Sequence, residues 1–411
     1  MRMRLLLLTL LPFSLFGQTP TVSELPDQDQ GYQHIERFIK ILEEVRTNHP
    51  DADHLSYERL INHALEGMVG SLDSFSGFYH PETVQHLDFE GEAIEEQFAI
   101  PSLGLSLAQK DGTVYIFQVR EHSAAERAGL RSKDILRKKD DTPLFELDLP
   151  EVHALLQGSP GQRLALTIYR NSARREIETE LLHAVTKQEA LPDAYFLEQS
   201  KIAYTRLTEF SATAARELEA ALDDLEDQGL ETLILDLRGN PGGLLTVAVE
   251  ILGLFLPPET EVVSTQGRTE ASQQPPLKTA AKQRVKREYP LVVLLDRNSA
   301  SASELVGGAL QDLKRATLIG ETSFGKGSVQ NISSRAGGTT LRLTIATYHT
   351  PSGNTPHKVG VTPDIEVPFS LTDLANFERF KVRKTASPET LEELEKWNDP
   401  AIVAARKHLT K

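Results

Sequence analysis

The sequence predicts an α+β protein of several domains with an α/β core as its largest part, and three patterns carry that prediction. Between about residues 190 and 367, apolar runs of strand length alternate with segments of helical periodicity, the order that builds a sheet covered by helices. From about 90 to 175, short strand-like runs are separated by glycine and charged turns, and two helical patterns precede them. At 411 residues the chain exceeds one ordinary domain, and 39% hydrophobic with 25% charged residues is a globular composition.

Met1 to Gly17 has two arginines, an apolar run and a small residue after it, the layout of a secretory signal. The run is short for a membrane span. Because the bulky Leu15 precedes the expected cut after Gly17, an uncleaved anchor stays open. The chain has no cysteine, so an exported product is stabilised by its core alone, which fits a bacterial periplasm or envelope. A polar spacer and helical patterns over 32–47 and about 55–71 make 18–89 an N-terminal helical module.

Residues 90–175 are expected to fold as a small β domain, with strands over 103–108, 114–119, 135–138 and 164–169 and a helix over 149–157. The run Ala124-Ala-Glu-Arg-Ala-Gly-Leu130, followed by Lys133-Asp-Ile-Leu136, resembles a PDZ domain of the bacterial protease type. The resemblance implies a groove where a ligand's extended carboxyl terminus adds to a strand edge and amides of a short loop hold its carboxylate. That loop is Ser102-Leu103-Gly104-Leu105; its serine stands where glycine is common, and Gln157 replaces an arginine often found before Gly158. The plainer alternative is a small β domain without a ligand groove.

Residues 176–375 form the expected α/β core: strand 202–207, helix 212–228, strand 232–237, helix 244–255 and strand 291–295. The polar stretch 257–289 reads as a strand and a loop. A glycine-rich turn, Asp236 to Gly243, joins the second strand to the second helix, which Asn-Pro-Gly-Gly would build for structural reasons alone. After strand 291–295 comes Ser299-Ala-Ser301-Ala-Ser303-Glu304, where Ser301 and Glu304 have capping-box spacing ahead of a helix, near free N–H groups and the positive end of its dipole. A short strand 316–319 precedes Phe324-Gly-Lys326-Gly, and strand 328–332 follows; alternation should put Lys326, Ser328 and Gln330 on one face. The tail, 376–411, reads as helix broken at Asn398-Asp-Pro400.

Singly, a serine before an apolar run is a cap and Gly-Lys-Gly is a turn. Their order, Ser-Ala-Ser-Ala-Ser-Glu, Gly-Ala-Leu-Gln-Asp and Phe-Gly-Lys-Gly-Ser-Val-Gln, resembles the carboxyl-terminal processing peptidases, or tail-specific proteases, serine peptidases with a lysine base. The resemblance runs from about Tyr32 to the end and implies a crotonase-like α/β protease core with an inserted PDZ-like domain. It implies Ser301 as nucleophile, Lys326 as base 25 positions on, and Gln330 holding the lysine. The oxyanion hole it implies is the N–H of Ala302 with a glycine amide of Gly242-Gly243. The segment Gly67 to Tyr79 resembles the family's lead into the binding domain, with Asp73-Ser74-Phe75 where Asp-Pro-His is usual. The expected activity is that of an exported serine endopeptidase cleaving near or upstream of carboxyl termini through an acyl-enzyme; the alternative is a non-catalytic PDZ-containing scaffold. Expected partners are protein or peptide substrates with free carboxyl termini; a homo-oligomer through the N- and C-terminal helices, or an adaptor protein, stays open.

Rival chemistries fit less well. Gly320 to Lys326 matches most of a phosphate-binding loop, but Gly327 stands where Ser or Thr would bind magnesium and strand follows instead of helix. A Ser-His-Asp triad through His349 or His357 has no motif around either histidine. With no His-Glu-x-x-His pattern, neither metal nor cofactor is expected. A net charge of −15, from 44 basic and 59 acidic residues, argues against nucleic acid.

Overall fold

The computed structural model describes residues 31–51, 55–80, 98–110, 112–120, 123–145, 147–184, 189–198, 200–273, 275–282 and 287–410. The expected signal at 1–17 and the spacer to residue 30 lie outside them. Two units, 1–65 and 66–411, make up the chain. In the first, helix α1 (Gly31–Asn48) buries none of its residues and exposes Ile35, Phe38, Ile39 and Ile41. The Arg46 guanidinium stacks 3.5 Å from the ring of Tyr57, which begins α2 (Tyr57–Gly70), and the Tyr57 hydroxyl donates to Glu43.

The second unit contains β1 (Gly77–Tyr79) and then a seven-stranded antiparallel domain. Its elements are β2 (Ala99–Ile100), β3 (Leu105–Lys110), β4 (Thr113–Val119), α3 (Ala124–Arg127), β5 (Ile135–Lys139), β6 (Thr142–Pro143), α4 (Leu149–Leu156), β7 (Arg163–Arg170) and β8 (Arg175–Leu182). The strand order is β2-β3-β4-β5-β7-β8, with β6 on β5. Asp148 and Glu151 form a reciprocal capping box that starts α4, and the helix packs Leu149, Val152 and Leu156 into one apolar cluster with Leu105, Leu107, Ile116 and Ile168. Strand β8 pairs with β7 from Arg175 to Leu182, so it belongs to this sheet and the expected boundary at residue 175 falls too early. Only one face of β8 is apolar, and its charged residues point to solvent, which blurred its strand pattern in the sequence.

The core follows as β9 (Asp193–Phe196), β10 (Ile202–Arg206), α5 (Ala214–Asp227), β11 (Thr232–Asp236), α6 (Leu245–Gly253), β12 (Glu261–Gly267), β13 (Leu277–Lys278), β14 (Leu291–Leu295), α7 (Ala302–Asp312), β15 (Thr317–Gly320), β16 (Ser328–Ser334), β17 (Thr340–His349) and β18 (Ile365–Glu366). Six of these strands form one sheet in the order β18-β15-β14-β11-β10-β9, parallel except for β9. One face of it packs Leu233, Leu235, Val293 and Leu295 against α5, α6 and α7. The other packs Tyr204, Ile234, Val292 and Ile319 against Ala401 and Ala405 of α10 (Pro400–Leu409), after α8 (Leu371–Lys381) and α9 (Pro388–Glu395). Burial on both faces explains why these strands read as continuous apolar runs. Strands β1, β17, β12 and β13, with β16 on β17, form the remaining sheet. No helix among the described residues is long and apolar enough to cross a membrane.

Candidate active site

Neighbouring parallel strands β11 and β14 end side by side, and each runs into a turn at its carboxyl end, the place where open α/β sheets carry their sites. From β14 comes the serine turn. The Ser299 hydroxyl donates to Leu237 O at 2.8 Å and that of Ser303 to Asn240 O at 2.9 Å, so these two serines fasten one turn to the other. Ser301, between them, sits at φ +54°, a left-handed conformation that costs a non-glycine residue on the order of 1 kcal/mol and is held by its surroundings. Its side chain makes no capping hydrogen bond, while the carboxylate half of the box is formed: Ser301 N–H donates to Glu304 Oε2 at 2.8 Å.

Glu304 does more than close a cap. Its carboxylate also accepts from Ser323 Oγ (2.6 Å), Gly325 N–H (2.7 Å) and Lys326 N–H (2.8 Å), all from the loop that precedes β16. Because Ser301 and Lys326 donate to the same oxygen, Oε2, their backbone nitrogens lie at most twice that distance apart. Burial pushes the Glu304 carboxyl up, and these four donors pull it back toward its ionised form. Capping-box spacing had marked the residue only as a cap.

Lys326 is 3% exposed. Its Nζ lies 5.5 Å from the Phe75 ring and 6.0 Å from the Phe117 ring, and Phe117 stands edge-on to Phe324. These walls come from the turn after α2, from β4 of the small domain and from the core. Burial first, and the cationic Arg342 second, bring the Lys326 pKa down to about 7. Sequence spacing marked neither Phe117 nor Arg342, and it placed Phe75 in a motif without connecting it to the lysine, because Phe75 and Phe117 lie far from Lys326 in the chain. The phosphate-loop alternative finds no helix here, since Gly327 leads directly into β16.

Gln330 lies in β16, whose first residue is Ser328, and Lys326 precedes that strand. The register with β17 shifts between Val329 and Gln330, and the extra residue, Ile345, is on β17, so the bulge leaves the run of β16 itself continuous. The Gln330 amide donates to Thr344 Oγ1 at 3.0 Å. His349 is held through Gly353 O at 2.9 Å and Thr347 Oγ1 at 3.0 Å, and among the described residues no hydrogen bond joins it or His357 to Ser301.

The second turn faces the serine directly. A Cβ on Gly242 would stand 2.8 Å from Ser301 Cβ and 3.0 Å from Ala302 N, and one on Gly243 would stand 2.6 Å from Phe210 O; both have positive φ, so both places require glycine. Asn240 Oδ1 takes up the Gly242 N–H at 2.9 Å. The N–H groups of Ala302 and Gly243 donate to no acceptor among the described residues. Behind the turn, buried Arg238 donates to Asp236 Oδ2 at 2.6 Å and to Asp399 Oδ2 at 2.8 Å; Asp399 is the N-cap of α10. A cavity of about 600 Å³ opens nearby, lined by Asp73, Tyr79, Gln109, Asp148 and Arg342. Neither Ser301 nor Lys326 lines it, and Arg342 is its link to the lysine.

Placement of the expected peptide-holding loop is clear but different in its bonding. Leu103 N–H and Gly104 N–H both donate to Ile100 O, at 2.9 and 2.8 Å, and Leu105 pairs with Ile100 across β2 and β3. The Ser102 hydroxyl is 2.8 Å from His183 Nδ1, and Gln157 Nε2 is 2.8 Å from His153 Nε2.

Family models match over both regions: a peptidase family S41 model over residues 201–367 and a PDZ domain model over 101–181. The chain is 34% identical to a carboxy-terminal-processing protease of Bartonella bacilliformis, over 83% of this chain and 76% of that protein. It is 35% identical to a carboxyl-terminal-processing protease of a Synechocystis species, over 76% of this chain and 72% of the relative. Among solved structures, the photosystem II D1 C-terminal processing protease shares the fold with a TM-score of 0.63 at 24% identity, over 81% of this chain and 88% of that one. With likeness on this scale spanning the small domain, the serine turn and the buried lysine's loop, the chain belongs to peptidase family S41 and is a serine-type peptidase of the carboxyl-terminal processing kind.

Proposed function

We propose that Ser301 is the nucleophile of this peptidase and Lys326 its base. The observation that supports this most is a buried lysine with its pKa near 7, tied through Glu304 to the backbone of a strained serine. A neutral amine accepts the Ser301 hydroxyl proton as Oγ attacks the scissile carbonyl, and the resulting ammonium gives that proton to the departing amine. A water, deprotonated by Lys326 in turn, then releases the acyl group from Ser301. Ala302 N–H and the unengaged Gly243 N–H suit the oxyanion. Gln330 suits the orienting of the lysine because its amide brings no negative charge that would raise the lysine's pKa.

Substrates in this reading are proteins or peptides with free carboxyl termini, cut upstream of the tail. The leader at 1–17 supports export to the envelope, which cell fractionation would check. Exposed apolar residues along α1 suit assembly of copies through terminal helices, which light scattering would read. The test of the chemistry is mass spectrometry of products from unfolded proteins. The intact chain should generate new carboxyl termini, and Ser301→Ala should lose cleavage while still binding the same proteins. Equal cleavage by the alanine variant would overturn the assignment, and no cleavage by either would favour a scaffold.

A further inference from the structure

A peptide that adds to a sheet edge needs three things: unpaired backbone along the strand, amides to hold its end, and a pocket for its last side chain. In the small domain residues 98–100 fill all three. Ala99 and Ile100 pair antiparallel with Ser106 and Leu105 on the edge of β3 that β4 leaves open, and Leu107 N–H donates to Phe98 O at 3.1 Å. On its other side the segment meets α4, where His153 Nε2 lies 3.0 Å from Ala99 O and its ring is edge-on to Phe98 at 5.6 Å. Ile100 O accepts from Leu103 and Gly104 N–H, as one oxygen of a bound carboxylate would, and the Ile100 side chain is wholly buried among Leu103, Leu105, Val152 and Leu156. Both residues that depart from the expected pattern support this arrangement: Gln157 touches the histidine that meets Ala99, and Ser102, bonded to His183, steadies the loop below Ile100.

We propose that Phe98-Ala99-Ile100 is an internal pseudo-ligand of the peptide groove, and that its chemistry defines the tails that displace it: an aromatic residue, a small residue and a terminal aliphatic one with a free carboxylate. The proposal rests on reading the chain as a tail-recognising peptidase and names the tails. A foreign tail ending in this way would repeat each contact of the internal strand and add the charge of its carboxylate, which the loop amides bind more strongly than a neutral carbonyl.

The absence of cysteine from the chain makes a clean test available. Ala99 and Ser106 are small, buried and directly opposed, and the bonded pair at Phe98 and Leu107 makes theirs a non-hydrogen-bonded pair, whose close approach suits a disulfide. In the full chain carrying Ser301→Ala, the double variant Ala99→Cys, Ser106→Cys is titrated by fluorescence anisotropy with a labelled peptide ending Phe-Ala-Ile. The reduced form should bind, and oxidation should weaken binding at least tenfold because the strand can no longer leave. The amidated peptide, and one ending in Asp, should bind the reduced form at least tenfold more weakly than the free-tailed one. Equal affinity in the two redox states, or no preference among the tails, overturns the proposal. Failure of the pair to oxidise, read by mass, would mean that the strand does not keep this register and would sink it as well. Hydrolysis of an unfolded protein with a free carboxyl terminus by the unmodified chain is assayed separately: its absence counts against the Ser301 mechanism and leaves the binding result readable.

Discussion

Two cups of backbone N–H groups lie in this molecule, one at the serine turn and one in the loop of the small domain, and they differ in occupancy. At the serine turn the amides of Ala302 and Gly243 have no acceptor among the described residues, and glycines keep side chains out of the space before them. In the small domain, Leu103 and Gly104 N–H already hold the Ile100 carbonyl. The comparison separates stability from readiness. A filled cup satisfies its donors and adds to the fold, whereas an open one, in the proposed mechanism, keeps them unpaired for a charge that appears only during reaction.

Removing Lys326, the proposed base, should have the largest effect at the open cup. Lys326→Arg, which keeps a cation that cannot deprotonate in the working range, and Lys326→Met should each lower kcat at least about a thousandfold. The methionine variant should also be the more stable protein. The buried amine sheds its proton near pH 7, whereas an exposed lysine holds it to about 10.5, so the unfolded chain binds more protons between those values and stability rises with pH across that window. Below pH 7 the penalty is complete, and Lys326→Met should gain on the order of 4 kcal/mol there in denaturant titrations, with the gain shrinking toward pH 10.5. Retained activity in the arginine variant, or no gain in the methionine one, would refute this account of the lysine.

Blocking the open cup comes next in size. A Cβ on Gly242 would crowd Ser301 and the Ala302 amide, so Gly242→Ala should cost about a hundredfold in kcat with KM little changed. A variant with full activity would mean that the oxyanion is held elsewhere. The smallest effect concerns the cation beside the base. Activity should rise from acidic pH through an inflection near pH 7, and Arg342→Met should shift that limb toward alkaline pH, lowering kcat/KM several-fold at neutral pH and little at pH 9. An unmoved limb would separate Arg342 from the lysine's proton affinity.

Sequence periodicity made most of the core legible, because strands buried on both faces and amphipathic helices carry strong patterns: the helix expected over 212–228 spans Ala214–Asp227, and the strand expected over 291–295 spans Leu291–Leu295. Local order along the chain also singled out Ser301 and Lys326, whose backbone N–H groups the fold brings to one carboxylate. What the sequence withheld depends on contacts between distant segments. Phe75 and Phe117 face one amine across more than two hundred positions of chain, and no spacing rule connects them. Strand β2 escaped notice because two residues followed by proline are too few to show alternation. The bulge at Ile345 of β17, opposite Val329 and Gln330, also went unread, because a bulge has no reliable signature in sequence.

The clamp on Arg238 gives the molecule a timetable. This guanidinium anchors the turn that carries Gly242 and Gly243, yet one of its two carboxylate partners, Asp399, lies 161 positions further along the chain. At roughly 5–20 residues per second, the ribosome needs on the order of ten to thirty seconds to deliver Asp399 after Arg238. Until then a buried cation lacks half of its counter-charge, and α10 has not yet covered the second face of the sheet. A nascent chain is itself an unfolded polypeptide, the kind of molecule that a peptidase cuts. In the proposed chemistry, the turn that carries Gly242 and Gly243 therefore receives its last brace only from a late-made helix.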